Sequence, residues 1–154
     1  MPDLITHVLV VLIACELINM KKKGLILAGA ILPDIVSRIF LLGFIIKLPD
    51  GFLIAVTLFH SLIPLLALAV LLATLFKDFF SAAFLIGIGA ISHLLLDTFN
   101  IHFLGGIMWM FPFSWILFKY SLFIPDQFMY VAVSLLAVYI FIRVYKWRKE
   151  INDS

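Results

Sequence analysis

Five long apolar stretches dominate the chain and limit what it can fold into. They cover Leu4–Ile18, Gly24–Ile46, Phe52–Phe76, Phe79–Phe99 and Gln127–Trp147. A helix needs about 20 mostly apolar residues to cross the hydrocarbon core of a bilayer. Hydrophobic residues make up 65% of the 154-residue chain, more than the interior of a soluble domain can bury. We therefore expect residues 1–154 to form a single all-α membrane domain, a bundle of about five transmembrane helices.

A sixth apolar stretch, Phe103–Phe118, differs from the other five because it is rich in aromatic residues and interrupted. Gly105, Gly106 and Pro112 break its helical pattern, and it contains Trp109 and Trp115. Tryptophan and tyrosine favour the headgroup level of a membrane. This composition predicts a re-entrant or interfacial segment rather than a further span.

The basic residues predict how the chain is oriented. With the N-terminus outside and five spans, most of them fall on the cytoplasmic side: Lys21, Lys22, Lys23, Lys77, Arg143, Lys146, Arg148 and Lys149. Lys47 and Lys119 fall outside, so the positive-inside rule is satisfied and the C-terminus is expected in the cytoplasm. Glu16 lies beside the lysine cluster and is expected to pair with it. No basic patch is interleaved with aromatic residues, so nucleic acid is not an expected partner.

On this topology, five ionisable side chains fall in the outer half of the membrane. At 1.5 Å per residue, His60 lies about 12 Å and Asp34 about 15 Å along their spans. His93 and Asp97, in the stretch SHLLLDTF, are four residues apart and share one helix face. His7 lies near the outer end of the first stretch. Because buried ionisable groups in membranes are costly and tend to be functional, we expect one site toward the outer leaflet.

Each of these residues also has a structural interpretation. His93 and Asp97 are either two metal ligands or a buried hydrogen-bonded pair. Asp34 follows Pro33, so its helix is expected to kink or break there. Arg38, one turn further on, either neutralises Asp34 or contacts an anionic substrate. A lone His60 or His7 on an apolar helix is commonly a satisfied core residue.

Taken together, three histidines and two aspartates favour a metal site. Imidazole and carboxylate ligands suit zinc, manganese or iron. Cys15 is the only cysteine, so neither an intrachain disulfide nor a thiolate cluster is possible within the chain. Two ions sharing a carboxylate would need about this many ligands. Such a site activates water and binds a phosphoryl group.

The order of these motifs resembles a known family. The segments TH, GAILPD, FHS, GAISHLLLDTF and PFSW occur in sequence between His7 and Trp115. They resemble the YdjM-like membrane-bound metal-dependent hydrolases, also described as LexA-binding inner-membrane hydrolases. The chain departs from the family pattern after LPD, where it reads IVSR, and before HS, where it reads TLF. Arg38 is the candidate substitute for the family's basic contact.

The resemblance implies which residues bind metal. The ligands would be His7, Asp34, His60, His93 and Asp97, with Pro112 matching the trailing PF motif. More distantly, the order resembles zinc-dependent phospholipase C. By that analogy Asp34, His60, His93 and Asp97 would hold one ion, and His7 would join Asp97 at a second. The resemblance also implies the inner membrane of a prokaryote.

We therefore expect a membrane-embedded hydrolase that cleaves a phosphoester, with a lipid or lipid-linked molecule as its substrate. Asp34, His60, His93 and Asp97 would act through metal-activated water, and Arg38 would contact the phosphate. One or two divalent ions are expected, Zn²⁺ or alternatively Mn²⁺, with substrate arriving past the aromatic segment. The alternatives are a metal or proton-coupled transporter and a non-catalytic membrane scaffold. The oligomeric state does not follow from the sequence.

Overall fold

The described part of the chain is entirely helical apart from turns and one loop. The computed structural model describes residues 4–46, 58, 60–99, 107–118, 120 and 127–152. Its helices are α1 (Leu4–Leu17), α2 (Lys23–Ile45), α3 (Leu62–Ala73), α4 (Phe79–Thr98) and α5 (Phe128–Asn152). The only β-type pairing among these residues is an isolated antiparallel bridge between Ile107 and Phe118. The prediction of an all-α fold is confirmed for these residues.

Two of the described helices are long and apolar enough to cross a membrane. They cover Phe79–Thr98 and Met129–Asn152. Two further apolar helices, Leu4–Leu17 and Leu62–Ala73, are shorter than a full span. Five complete spans therefore remain a prediction, and residues 52–57 and 59 of the third predicted stretch lie outside the described residues.

Helix α1 ends at a hydrogen-bonded turn that the local sequence explains. Asn19 has a positive φ of 53°, a conformation that asparagine tolerates better than most residues. The amide of Met20 donates to the carbonyl of Cys15 at 2.9 Å, and that of Asn19 donates to the carbonyl of Glu16 at 3.2 Å. This pair of bonds is the Schellman motif, which satisfies the last carbonyls of a helix. It turns the chain directly into α2.

Helices α2 and α4 form the closest pair in the structure. A methyl group added to Gly29 would overlap the carbonyl oxygen of Ile86, and one added to Gly89 would overlap that of Ile26. Small residues allow the backbones of membrane helices to approach in this way. Ala30 and Ala90, next to the two glycines, are completely buried. The α2–α4 contact is therefore a backbone-to-backbone interface.

Helix continuity differs from the prediction at two places. Of the kink or break expected at Asp34, the break does not occur, because α2 continues through Pro33 to Ile45. Proline at position 33 removes only the bond to the carbonyl of Gly29, and such a loss is tolerated in membrane helices. The predicted third span is interrupted instead. Ser61 has an extended backbone, with φ −123° and ψ 156°, and α3 begins only at Leu62.

The aromatic segment forms a loop that folds back on itself. Ile107 and Phe118 exchange two backbone hydrogen bonds of 3.0 and 2.9 Å. The indole of Trp109 donates to Thr98 Oγ1 at 3.0 Å, which ties the loop to the end of α4. The described part is not a re-entrant helix, and residues 103–106 lie outside the described residues.

The bundle has two chemically different ends. Glu16 on α1 contacts Lys23 of α2 and Lys146 of α5, and Lys22 contacts Asp78 just before α4. These pairs place the end of α1, the start of α2, the start of α4 and the end of α5 at one basic end. The expected pairing of Glu16 with the lysine cluster is confirmed. Helix α5 packs chiefly on α1, whereas α2 and α3 pack on α4.

Candidate metal centre

The structure brings together the five predicted ligand residues from four parts of the chain. His7 lies in the first turn of α1 and Asp34 near the middle of α2. His60 lies in the turn just before α3, not inside a helix as the sequence suggested. His93 and Asp97 project from the last turns of α4. This end of the bundle is opposite the basic end.

Asp97 is at the centre of the group. Its Oδ1 lies 3.2 Å from His7 Nε2, and its Oδ2 lies 3.1 Å from His93 Nε2. His60 Nε2 is 3.8 Å from the same Oδ2 atom. Three imidazoles from three different segments therefore direct the same ring nitrogen toward one carboxylate.

His93 is held in one orientation by the neighbouring helix. Its Nδ1 lies 2.6 Å from the carbonyl oxygen of Ala30, and because a carbonyl can only accept, Nδ1 carries a proton. Its ring stacks on that of His7, with centroids 3.9 Å apart and planes 15° apart. Nε2 is thereby aimed at Asp97 and lies 3.8 Å from Asp34 Oδ1. This arrangement, with one ring nitrogen bonded to a backbone carbonyl, is typical of histidines that ligate metals.

The electrostatics of the group favour a bound cation. Neither ring nitrogen of His7 nor Nε2 of His93 makes a hydrogen bond within the described part of the chain. In its neutral form His93 directs a lone pair at two carboxylates, which is unfavourable without a proton or cation between them. Ligand atoms 2.0–2.1 Å from a tetrahedral zinc ion lie about 3.3 Å from one another. His7 Nε2 lies 3.2 Å from Asp97 Oδ1 and His93 Nε2 lies 3.1 Å from Asp97 Oδ2, so each pair taken alone has about the separation of two zinc ligands.

Two overlapping sets of side chains satisfy the spacing needed for an ion. One is His7, His93 and Asp97, and the other is Asp34, His60 and His93, each with ligand atoms within 4.8 Å of one another. His93 belongs to both sets but offers only Nε2, because Nδ1 is bonded to Ala30. A single ion can therefore use His93. A second ion would have to depend on the other four side chains.

The group is closed on one side and more open on the other. The side chains of His7, His93 and Asp97 are at most 1% exposed, whereas that of His60 is 18% exposed. Arg38 lies one turn beyond Asp34 on α2 and is exposed. The structure therefore does not bury Arg38 with the ligands. It leaves Arg38 on the solvent- or lipid-accessible surface near Asp34.

Sequence reasoning missed two features that shape this site. The carbonyl of Ala30 orients His93, and no side-chain motif signals a backbone contact of this kind. Thr6, next to His7, is buried and its Oγ1 has no hydrogen-bond partner among the described residues. A threonine preceding the first histidine was visible in the TH motif. Its burial, however, depends on how α1 packs.

The described aromatic loop borders a cavity, and the expected arrival of substrate past this segment stays a prediction. A cavity of about 320 Å³ lies between the loop and α4, lined by Leu95, Thr98, Phe99, Trp109, Phe118 and Tyr120. Leu95 is two residues, or just over half a helical turn, from both His93 and Asp97. The cavity is therefore on the side of α4 that faces away from the ligand side chains.

Comparison with known proteins identifies a family. The family model described as YdjM inner membrane protein matches residues 1–151. The match covers almost the whole chain and includes all five predicted ligands, the first candidate span and all but the last residue of the second, so the resemblance noted in the sequence is confirmed. No curated protein and no solved structure matches the chain.

Proposed function

The chain belongs to the YdjM inner membrane protein family, and from this premise we propose that it is a metal-dependent hydrolase of a phosphoester. One observation carries the proposal. Three imidazole Nε2 atoms and two carboxylates from four segments meet at one end of the bundle. Such a set is costly to bury without a cation, and helix packing alone does not require it.

The proposed ligands are His7, Asp34, His60, His93 and Asp97. All are nitrogen or oxygen donors, which suits Zn²⁺ and, as the alternative, Mn²⁺. One or two ions are proposed. When bound, a divalent ion supplies an activated water molecule and polarises a phosphoryl oxygen.

The protein's own residues would orient the ligands, exclude bulk water and contact the substrate. The bond to Ala30 fixes the protonated nitrogen of His93 and keeps Nε2 directed inward. Burial of His7, His93 and Asp97 excludes bulk water from the closed side. Substrate would approach on the side of His60, the most exposed of the ligands. Arg38, exposed near Asp34, would contact the phosphate group on that side.

The proposed substrate is a lipid or lipid-linked phosphoester. The family is one of inner membrane proteins, and α4 exposes large apolar side chains such as Phe84 and Leu95. A substrate dissolved in the bilayer would therefore lie beside the bundle. We place the site toward the outer leaflet, with the N-terminus outside, five spans and the C-terminus in the cytoplasm.

The decisive test is the metal content of detergent-purified protein by elemental mass spectrometry. We expect one or two equivalents of zinc or manganese in the native protein and their loss in the double variant His93→Ala/Asp97→Ala. The matched control is Ser92→Ala, because Ser92 is on the same helix and its hydroxyl bonds only to the carbonyl of Gly89 in the described structure. If the native protein contains no metal even after reconstitution, the five candidate ligands have a structural role, and the scaffold alternative is favoured.

Activity is tested on the same set of variants. Phosphate release from phosphatidic acid vesicles and from p-nitrophenyl phosphate would be measured before and after chelation. We expect release from the vesicles that is lost on chelation and in Asp97→Ala, but retained in Ser92→Ala. Metal binding without hydrolysis, combined with metal flux into proteoliposomes, would support a transporter and reject the hydrolase.

A further inference from the structure

A second polar cluster lies at the basic end of the bundle, around Glu16. The side chain of Glu16 is only 4% exposed, although it sits in the last turn of α1. Lys23 Nζ is 2.5 Å from its Oε1 atom, Arg143 Nη1 is 3.3 Å from the same atom, and Lys146 Nζ is 3.6 Å from Oε2. Three cations from α2 and α5 therefore surround one carboxylate.

The charges of this cluster do not balance. Three cations against one carboxylate leave an excess of two positive charges among the described residues. Lys146 also donates to the main-chain carbonyl of Glu16 and to Asn19 Oδ1, but the end of a helix contributes only about half a negative charge. Arg143 has five N–H donors, and a bond to Glu16 is the one that the described structure shows. The cluster therefore retains the charge and the donors to bind another anion.

The surface around the cluster is apolar and exposed. Leu17 and Ile18 follow Glu16 and are 64% and 65% exposed. Val144 and Trp147 flank Arg143 and Lys146 on α5 and are 46% and 61% exposed. A free inorganic anion would need only the charges. A lipid matches both features, because its phosphate meets the cations while its acyl chains cover the apolar side chains.

We propose that Lys23, Arg143 and Lys146 bind the phosphate headgroup of an anionic membrane lipid. Basic pockets between membrane helices are a known mode of headgroup recognition. The candidate metal centre is not involved, because His7 and Glu16 are nine residues, or about 14 Å, apart along α1. Failure of either proposal therefore leaves the other intact.

The test is a thermal unfolding series in detergent micelles with added lipid. Phosphatidylglycerol is expected to raise the Tm of the native protein by several degrees, and phosphatidylcholine to have little effect. Arg143→Gln should weaken phosphatidylglycerol binding about fivefold, the effect of about one basic residue at a membrane surface. Arg148→Gln is the matched control, since it removes the same charge from α5 at a residue outside the Glu16 cluster.

Two further measurements distinguish headgroup binding from a general effect of lipid or of charge. Arg143→Lys keeps the charge and should retain most of the lipid effect, and added salt should reduce that effect in the unmodified protein. Equal protection by phosphatidylcholine, or equal loss in Arg148→Gln, would overturn the proposal in favour of general lipid or charge effects. Equal protection by inorganic phosphate alone would assign the site to a soluble anion instead of a lipid. Metal content is measured in parallel and should be unchanged in all these variants.

Discussion

Asp97 is the carboxylate of the candidate metal centre at which all three imidazoles point, those of His7, His60 and His93. Replacing it tests the charge rather than the size of the side chain. Asp97→Asn keeps the shape but removes the negative charge that a cation would need. The substitution should therefore separate metal binding from packing.

We predict that zinc stabilises the native protein and does not stabilise Asp97→Asn. A ligand present at 100 times its Kd stabilises the folded state by about 2.7 kcal/mol, which is readily seen as a rise in Tm. In Asp97→Asn the zinc affinity should fall by about a thousandfold or more, so that the stabilisation at the same concentration drops below about 0.1 kcal/mol and the rise in Tm disappears. An unchanged rise in this variant would exclude Asp97 as a ligand. Ser92→Ala should behave like the native protein.

At this scale the sequence predicted which residues meet, but not how they are oriented. The four-residue spacing of His93 and Asp97 placed them on one helix face, and the topology placed His7, Asp34 and His60 nearby. Their role as metal ligands stays a prediction. The bond from His93 to Ala30 could not be foreseen, because it depends on how closely two separate helices approach.

Among the helices, the α2–α4 pair determines the geometry of the candidate metal centre. Asp34 and the carbonyl of Ala30 come from α2, while His93 and Asp97 come from α4. Gly29 and Gly89 allow the close contact between these helices. A side chain at either position would push the helices apart and weaken the bond that orients His93.

We predict that Gly89→Ala destabilises the protein by about 1–3 kcal/mol, the usual effect of overpacking a tight interface. Gly87→Ala is the matched control on the same helix, because its added methyl group would lie 3.5 Å from Leu66 Cδ2, an ordinary contact. Unfolding in denaturant and metal content would be measured for both variants. Equal stability of the two variants would show that the α2–α4 contact is looser than described.

The sequence was less informative about where helices begin and end. Pro33 suggested a break, yet α2 continues to Ile45, because packing against α4 outweighs one lost hydrogen bond. Conversely, the apolar run Phe52–Phe76 suggested one helix, whereas the chain is extended at Ser61. Hydropathy has no signal for such an interruption, although Ser61 and Pro64 are typical of a helix start.

Over the whole molecule, the lysines around Glu16 and Asp78 lie at the end opposite the candidate metal ligands, whereas Arg38 lies near the ligand Asp34. Lys22, Lys23 and Lys146 meet at one end through Asp78 and Glu16. The positive-inside rule assigns this end to the cytoplasm. The sequence predicted that the lysines and the candidate ligands are at opposite ends, because the positions of charged residues along the apolar stretches indicate this. It did not predict the number of complete spans, because some apolar stretches are close to the minimum length that crosses a membrane.

We predict that a fluorescent protein fused after Asn152 is fluorescent and that alkaline phosphatase fused there is inactive, because the proposed orientation puts the C-terminus in the cytoplasm. Fusions made after Phe99, at the end of α4 beside the ligands, should give the opposite pattern. The two fusion points act as controls for each other in whole-cell assays. The same pattern at both points would refute the proposed orientation.

Helix α5 carries none of the five predicted ligands, and its packing is chiefly on α1. The candidate ligands are thus supplied by α1, α2, the turn before α3 and α4. The last helix joins these elements along α1 and at the Glu16 cluster. A change confined to its outward side chains would alter the surface that the protein offers to its surroundings and leave the five candidate ligands in place.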